Sequence, residues 1–237
     1  MLSNRRYYQI EDIIKNELIE RGIKVQFGKY YDSPDEIDIV VETSDTIIFF
    51  ELKAKPLIRK SRVGKDLDLF IDLSESLLHS QYQANKHELF LRKEGYIHFK
   101  NSDYKLHFKD KKIIKISISL LDFGSYQDRD FVFQFLRCML AAKLQSDNDA
   151  INTKLGKINN MITQFQINFA ELTQLESQYE SKPFFNCYYL SLPQLLIILD
   201  QISSEEDLKN EICKLRNASF STMDFYQEYK YINTILK

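Results

Sequence analysis

Thr46-Ile47-Ile48-Phe49-Phe50 is the run that leaves this chain the least freedom. Five consecutive β-branched or aromatic residues favour an extended strand, and the lack of polar alternation implies burial on both faces. A strand covered on both sides lies within a sheet that has helices over each face, which points to an α/β fold. The preceding run, Ile37 to Glu42, is also rich in Ile and Val, and only Thr43-Ser44-Asp45 separates the two. A short-looped antiparallel hairpin is therefore expected.

The apolar run ends in charge, at Glu51-Leu52-Lys53. Strand side chains alternate between faces, so Glu51 and Lys53 project to one side, and Asp38 on the preceding strand lies beside them if the register allows. Carboxylates and an ammonium at a buried strand end are costly to desolvate unless they are paired or hold a metal. Two carboxylates from neighbouring strands suit a hard cation such as Mg²⁺ or Mn²⁺, and a lysine beside them can orient water and stabilise phosphate charge. The plain alternative is a salt-bridged strand end. The cation is favoured because Glu-x-Lys directly follows four apolar residues and is preceded by the acidic stretch Asp35-Glu36-Ile37-Asp38.

Pro34-Asp35-Glu36-Ile37-Asp38 followed by Glu51-Leu52-Lys53 resembles the signature of the PD-(D/E)XK nuclease superfamily, whose restriction-endonuclease-like fold has an αβββαβ core. The resemblance covers roughly residues 5 to 125. It implies that Asp38 and Glu51 bind divalent ions, Mg²⁺ or Mn²⁺, and that Lys53 assists the attacking water. It also implies a metal-binding Glu on the first helix, matched by Glu11, and a Gln on the helix after Glu-x-Lys, matched by Gln83. The implied reaction is metal-dependent hydrolysis of a phosphodiester, with DNA favoured over RNA. Gln83 is followed four residues on by His87, not Tyr, which sets the chain apart from the exonuclease branch that carries Gln-x-x-x-Tyr. The competing readings are a catalytically silent module on the same fold that binds nucleic acid or a partner, and a metal-independent structural protein.

The formal charge of −2 gives no global sign of a nucleic-acid partner, so any such sign must be local. Lys53, Lys55, Arg59, Lys60, Arg62 and Lys65 follow one another with no acid between them, beside the proposed site. Such a run can neutralise a phosphodiester backbone, although most charge runs are solvated loops. Pro56 and Gly64 mark this one as a loop.

The rest of the chain reads as support. A helix is expected over residues 5–21, stopped by Gly22, with Glu11 beside its apolar stripe, and a strand over 24–30. A long helix follows over 66–92. His79, Gln83 and His87 share one of its faces, but the two histidines are about 12 Å apart along the axis, too far for one ion, so a polar face is expected. Strands are expected over 96–100, 105–109 and 113–123. Helices over 128–144 and 148–180 should pack as a hairpin through one seam, forming a helical insertion over 127–182 that offers a face for a homodimer or a partner protein. A returning strand at 184–191, Pro193 in the first turn of a helix, and helices over 205–216 and 224–236 complete a single domain. Cys138, Cys187 and Cys213 fit neither a disulfide framework nor a zinc site and are expected as buried small hydrophobes. No apolar run is long enough for a membrane span, and a cytoplasmic location follows by default.

Overall fold

The computed structural model of the chain describes residues 2–53, 66–217 and 222–235. Lys55, Arg59, Lys60, Arg62 and Lys65 lie outside the described residues. In chain order the elements begin α1 (Leu2–Glu20), β1 (Val25–Lys29), β2 (Glu36–Glu42) and β3 (Thr46–Lys53). An unbroken helix from Asp66 follows as α2 (Asp66–Leu73), a π turn (Ser74–Leu78) and α3 (His79–Glu94). The middle of the chain forms β4 (Tyr96–His98), β5 (Lys105–His107), β6 (Lys112–Ser119), α4 (Arg129–Met139), α5 (Asp149–Leu175) and α6 (Gln178–Ser181). It ends in β7 (Cys187–Ser191), α7 (Leu192–Leu199), α8 (Glu205–Asn217) and α9 (Phe225–Ile235).

The hairpin forms where the sequence places it. Thr43 closes its turn, the backbone N–H donating to the Thr46 carbonyl at 2.8 Å and the hydroxyl accepting from the Thr46 N–H at 3.0 Å. The main sheet is mixed, with strand order β1-β2-β3-β6-β7. β1, β2 and β3 pair antiparallel, while β3, β6 and β7 pair parallel. β4 and β5 form a separate two-stranded sheet, joined to the main one by a bridge between Tyr30 and Phe99.

Apolar side chains on both faces of β3 explain its place at the sheet's centre. Ile48, Phe50 and Leu52 pack with Ile14 and Leu18 of α1, Leu195 and Ile198 of α7, and Leu208 and Ile212 of α8. Ile47 and Phe49 pack on the other side with Leu91 of α3 and Ile97, Phe99 and Leu106 of the small sheet. Gly22, with φ +77°, ends α1, and the Ile23 N–H reaches back to the Leu18 carbonyl at 3.0 Å.

A bulge in β2 interrupts this regularity at the place that matters. Gln26 pairs with Val40 and Gly28 with Ile37, so two steps along β1 span three along β2. Gly28 has φ +100°, and a Cβ there would meet the Asn101 side chain at 3.2 Å. The extra residue puts Ile37 and Val40 on one face and Ile39 and Val41 on the other, and takes Asp38 out of strict alternation.

The segment expected as an insertion is the crossover that parallel pairing of β6 and β7 requires. Its helices differ from the expected hairpin: α5 packs chiefly along α3, with Ile158, Ile162, Phe165, Phe169 and Leu172 against Leu73, Leu77, Leu78 and Leu89. α4 stops at Met139 and is tied to α5 through Gln166, whose amide donates to the Met139 and Ala142 carbonyls at 2.9 and 3.1 Å. α5 ends at Leu175, and only the short α6 follows before β7. Cys138 is exposed, contrary to expectation, because the buried stripe of α4 runs through Val132, Phe135, Leu136 and Met139 and passes it by. Cys187 is buried and Cys213 half-buried.

A fully buried ionic network fixes α3 to the sheet. Lys115 of β6 lies 3.0 Å from Glu88 of α3, and donates to Asn85 at 2.7 Å and to the Tyr179 hydroxyl at 3.2 Å. Tyr179 donates to Glu88 at 2.6 Å and Arg92 donates to it at 2.8 Å. Burial alone would neutralise both charges; the Lys115 and Arg92 cations outweigh it and hold Glu88 below its ordinary value, and Glu88 in turn holds Lys115 above its own. Among the described residues no helix is long and apolar enough to cross a membrane.

Candidate active site

Glu51 and Lys53 sit at the C-terminal end of β3, on the face that α3 covers. Glu51 is fully buried, and neither of its oxygens completes a hydrogen bond. His87 Nε2 stands 3.0 Å from Glu51 Oε1, near enough for a hydrogen bond but off its direction. Behind the imidazole, the Tyr30 hydroxyl lies 3.1 Å from Nδ1. Burial, with Asp35 and Glu51 nearby, pushes the Tyr30 phenol up to about 12. Nε2 faces Glu51, and the tautomer with its hydrogen there, in which Tyr30 donates to Nδ1, is the one that lets the imidazole give the carboxylate an N–H.

Lys53 is half-buried and its ammonium donates to Gln83 Oε1. Next to it on α3, Lys86 pairs with Asp35 and lies 5.6 Å from the centre of the Tyr82 ring. Burial foremost, and then the charges of Lys53 and Lys86, push His79 down to about 4.

Asp38 is 8% exposed, and its Oδ2 accepts from the Leu52 N–H at 2.7 Å. The β2–β3 ladder reaches only as far as Ile39 with Phe50. Beyond it the bulge lets the Asp38 carboxylate take the place that a ladder carbonyl would occupy, against the Glu51–Leu52 peptide. Glu11 of α1 is half-buried and bound to Lys15 at 3.0 Å. Burial raises its carboxyl above the ordinary value, and the charge of Asp38 adds to that rise while Lys15 opposes it.

The structure thus joins Glu51 to His87, Lys53 to Gln83, and Glu11 to the field of Asp38. It does not gather Glu11, Asp38 and Glu51 into one cage: among the described residues no three His, Cys, Asp or Glu side chains are placed to hold a metal ion. His87 departs most from expectation, being 1% exposed and turned to Glu51, where a polar helix face was expected. Its signal in the sequence is the spacing to Gln83. One helical turn of four residues rises about 6 Å and two strand residues about 6.6 Å, so a helix that meets Lys53 with Gln83 meets Glu51 with His87.

A small hard cation fits these residues in kind. The donors are carboxylate oxygens, those of Glu51 are buried without a completed hydrogen bond, and Mg²⁺ commonly binds through one or two carboxylates with water in its remaining positions. A cavity of about 540 Å³ lies at the other end of the strands and is lined by Asp45, Lys111, Lys112, Lys209 and Arg216 among others. Its cations are largely engaged, Lys112 and Lys209 with Asp45 and Lys111 with Glu42. In comparisons with known proteins, no family model, no curated protein and no solved structure matches the chain.

Proposed function

We propose that the chain is a divalent-metal-dependent nuclease on a restriction-endonuclease-like core. The observation that carries this reading is Glu51, a sealed carboxylate lacking completed hydrogen bonds, on a strand whose next same-face residue is a lysine held by Gln83. With the separate β4–β5 sheet set aside and the helix from Asp66 to Glu94 taken as one, the order of elements to β6, and the parallel pairing of β6 with β3, support the αβββαβ core that the motif resemblance implies. Asp38 and Glu51 would hold Mg²⁺ or Mn²⁺, with Glu11, which feels the charge of Asp38, a further carboxylate. The bound cation supplies Lewis-acid stabilisation of phosphoryl oxygen. Lys53 positions water and stabilises developing negative charge, and Gln83 fixes the direction of its ammonium. Lys55, Arg59, Lys60, Arg62 and Lys65 contact phosphates. DNA is preferred to RNA on the resemblance alone.

A second reading is a catalytically silent module that binds nucleic acid or a partner. Cleavage of supercoiled, linear and single-stranded DNA and of RNA, with Mg²⁺, Mn²⁺ or chelator, separates the two. The nuclease reading expects cation-dependent cleavage that Asp38→Ala and Glu51→Ala abolish together with calorimetric Mn²⁺ binding. Lys53→Ala should keep cation binding while hydrolysis falls by orders of magnitude. A wild-type protein that binds no divalent ion at millimolar concentration, with or without nucleic acid, sinks the reading.

A further inference from the structure

We propose that His87, backed by Tyr30, is the positioning residue that sets the direction of the Glu51 carboxylate toward its ligand. The inference rests on the reading of Glu51 as a cation ligand, and it concerns a residue that the motif does not include.

Three rungs link α3 to β3. Gln83 meets Lys53, His87 meets Glu51, and Leu91 packs in the same apolar cluster as Phe49. Steps of four on the helix match steps of two on the strand, so the helix registers against β3 at each of these positions. The outer rung is a polar contact to the lysine and the inner rung is apolar. His87 occupies the rung between them and has rings on either side: Tyr30 lies 5.8 Å from it, centre to centre, and Phe49 lies 5.9 Å. With the Tyr30 hydroxyl 3.1 Å from Nδ1 and two rings packed on the imidazole, Nε2 is turned to the side of Glu51.

The Glu51–His87 approach differs from an ordinary buried ion pair. The neighbouring network, in which Glu88 and Arg92 of α3 meet Lys115 of β6 and Tyr179 of α6, closes its contacts into hydrogen bonds and ion pairs. Glu51 and His87 come as close, at 3.0 Å, yet leave Nε2 and both carboxylate oxygens without a completed hydrogen bond. Such an unaligned pair costs stability if nothing else joins it. It becomes favourable when a third group engages the carboxylate, because the imidazole N–H then steadies one oxygen while the other is ligated. Groups that orient a ligand in this way change metal affinity by about 10–100-fold when removed.

Calorimetric titration of the full chain with Mn²⁺ tests this, alongside melting temperature in metal-free buffer. His87→Ala should weaken Mn²⁺ binding by about 10–100-fold. His87→Gln, which returns an N–H donor, should recover most of that loss. Tyr30→Phe, which removes only the hydroxyl behind the ring, should keep the fold and weaken binding by a few-fold. Wild-type Mn²⁺ affinity in His87→Ala overturns the proposal, as does equal weakening in His87→Ala and His87→Gln with equal loss of melting temperature, the mark of a purely structural role. If His87→Ala fails to fold, Tyr30→Phe decides: unchanged affinity overturns the relay. Failure of the proposal leaves wild-type Mn²⁺ binding and cleavage intact, whereas failure of the nuclease reading removes both from the wild type.

Discussion

Burial and the ammonium groups of Lys53 and Lys86 push His79 down to about 4, against about 6.5 for an unperturbed imidazole. The folded state therefore binds no proton at His79 in a range where the unfolded chain does, and stability from this residue rises with pH. It is complete above about pH 6.5 and is lost as the pH falls toward 4. Urea unfolding at pH 7.5 and 4.5 should show the wild type losing about 1–2 kcal/mol more than His79→Gln over that interval, the full shift being discounted for partial solvent access. Equal losses would mean that His79 is not held neutral. At this scale the sequence shows residues whose roles are local in the chain. Glu51 and Lys53 are legible because strand alternation alone puts them on one face, and Gln83 because it follows on the next helix. Tyr30 is not, and His87 shows only through its spacing to Gln83, since each gains its meaning from a partner more than thirty residues away. Lys115 is hidden for another reason: in Ile113-Ile114-Lys115-Ile116-Ser117 it occupies the polar place of an alternating strand, yet it is 1% exposed because helices cover that face too.

Among elements, α3 does the most to shape the site, and the Lys115 network determines where it lies. Removing one member of a buried pair leaves the other charged and unpaired, at a cost of about 3–5 kcal/mol. Glu88→Gln should accordingly lower stability in urea by that amount, and adding Lys115→Met should restore at least about 1 kcal/mol of it, because the stranded cation is then gone. Additive losses in the double variant would show that the two residues are not coupled. The same substitutions should weaken Mn²⁺ binding less than His87→Ala does, since Lys115 and Glu88 touch neither Glu51 nor Lys53 in the structure. Element type was legible wherever periodicity was strong, as in β3, α1 and the helix from Asp66 to Glu94. The bulge in β2 was not, because it depends on the conformation of Gly28 in a neighbouring strand. The partner of α5 was not legible either: its apolar stripe fits α4 and α3 equally well in sequence, and only the crossover between β6 and β7 lays it along α3.

For the molecule as a whole, the formal charge of −2 means that long-range attraction cannot bring a polyanion to the site without a local field. Lys53 ends β3 at the site, and Lys55, Arg59, Lys60, Arg62 and Lys65 follow it directly in sequence, with Lys86 and His79 on the adjoining face of α3. Binding that depends on such a patch releases counterions in proportion to the phosphates it neutralises. Replacing Arg59, Lys60 and Arg62 together by Ala should therefore weaken duplex binding regardless of sequence, and the slope of log K against log salt should fall by up to about 0.9 for each lost contact. Asp38→Ala and Glu51→Ala should leave that slope unchanged, because they remove acids and not cations. An unchanged slope in the triple variant would take those three cations out of the interface. The field would then have to come from Lys53, Lys55, Lys65 and Lys86, and replacing Lys53 and Lys86 by Ala should lower the slope by no more than about 1.8.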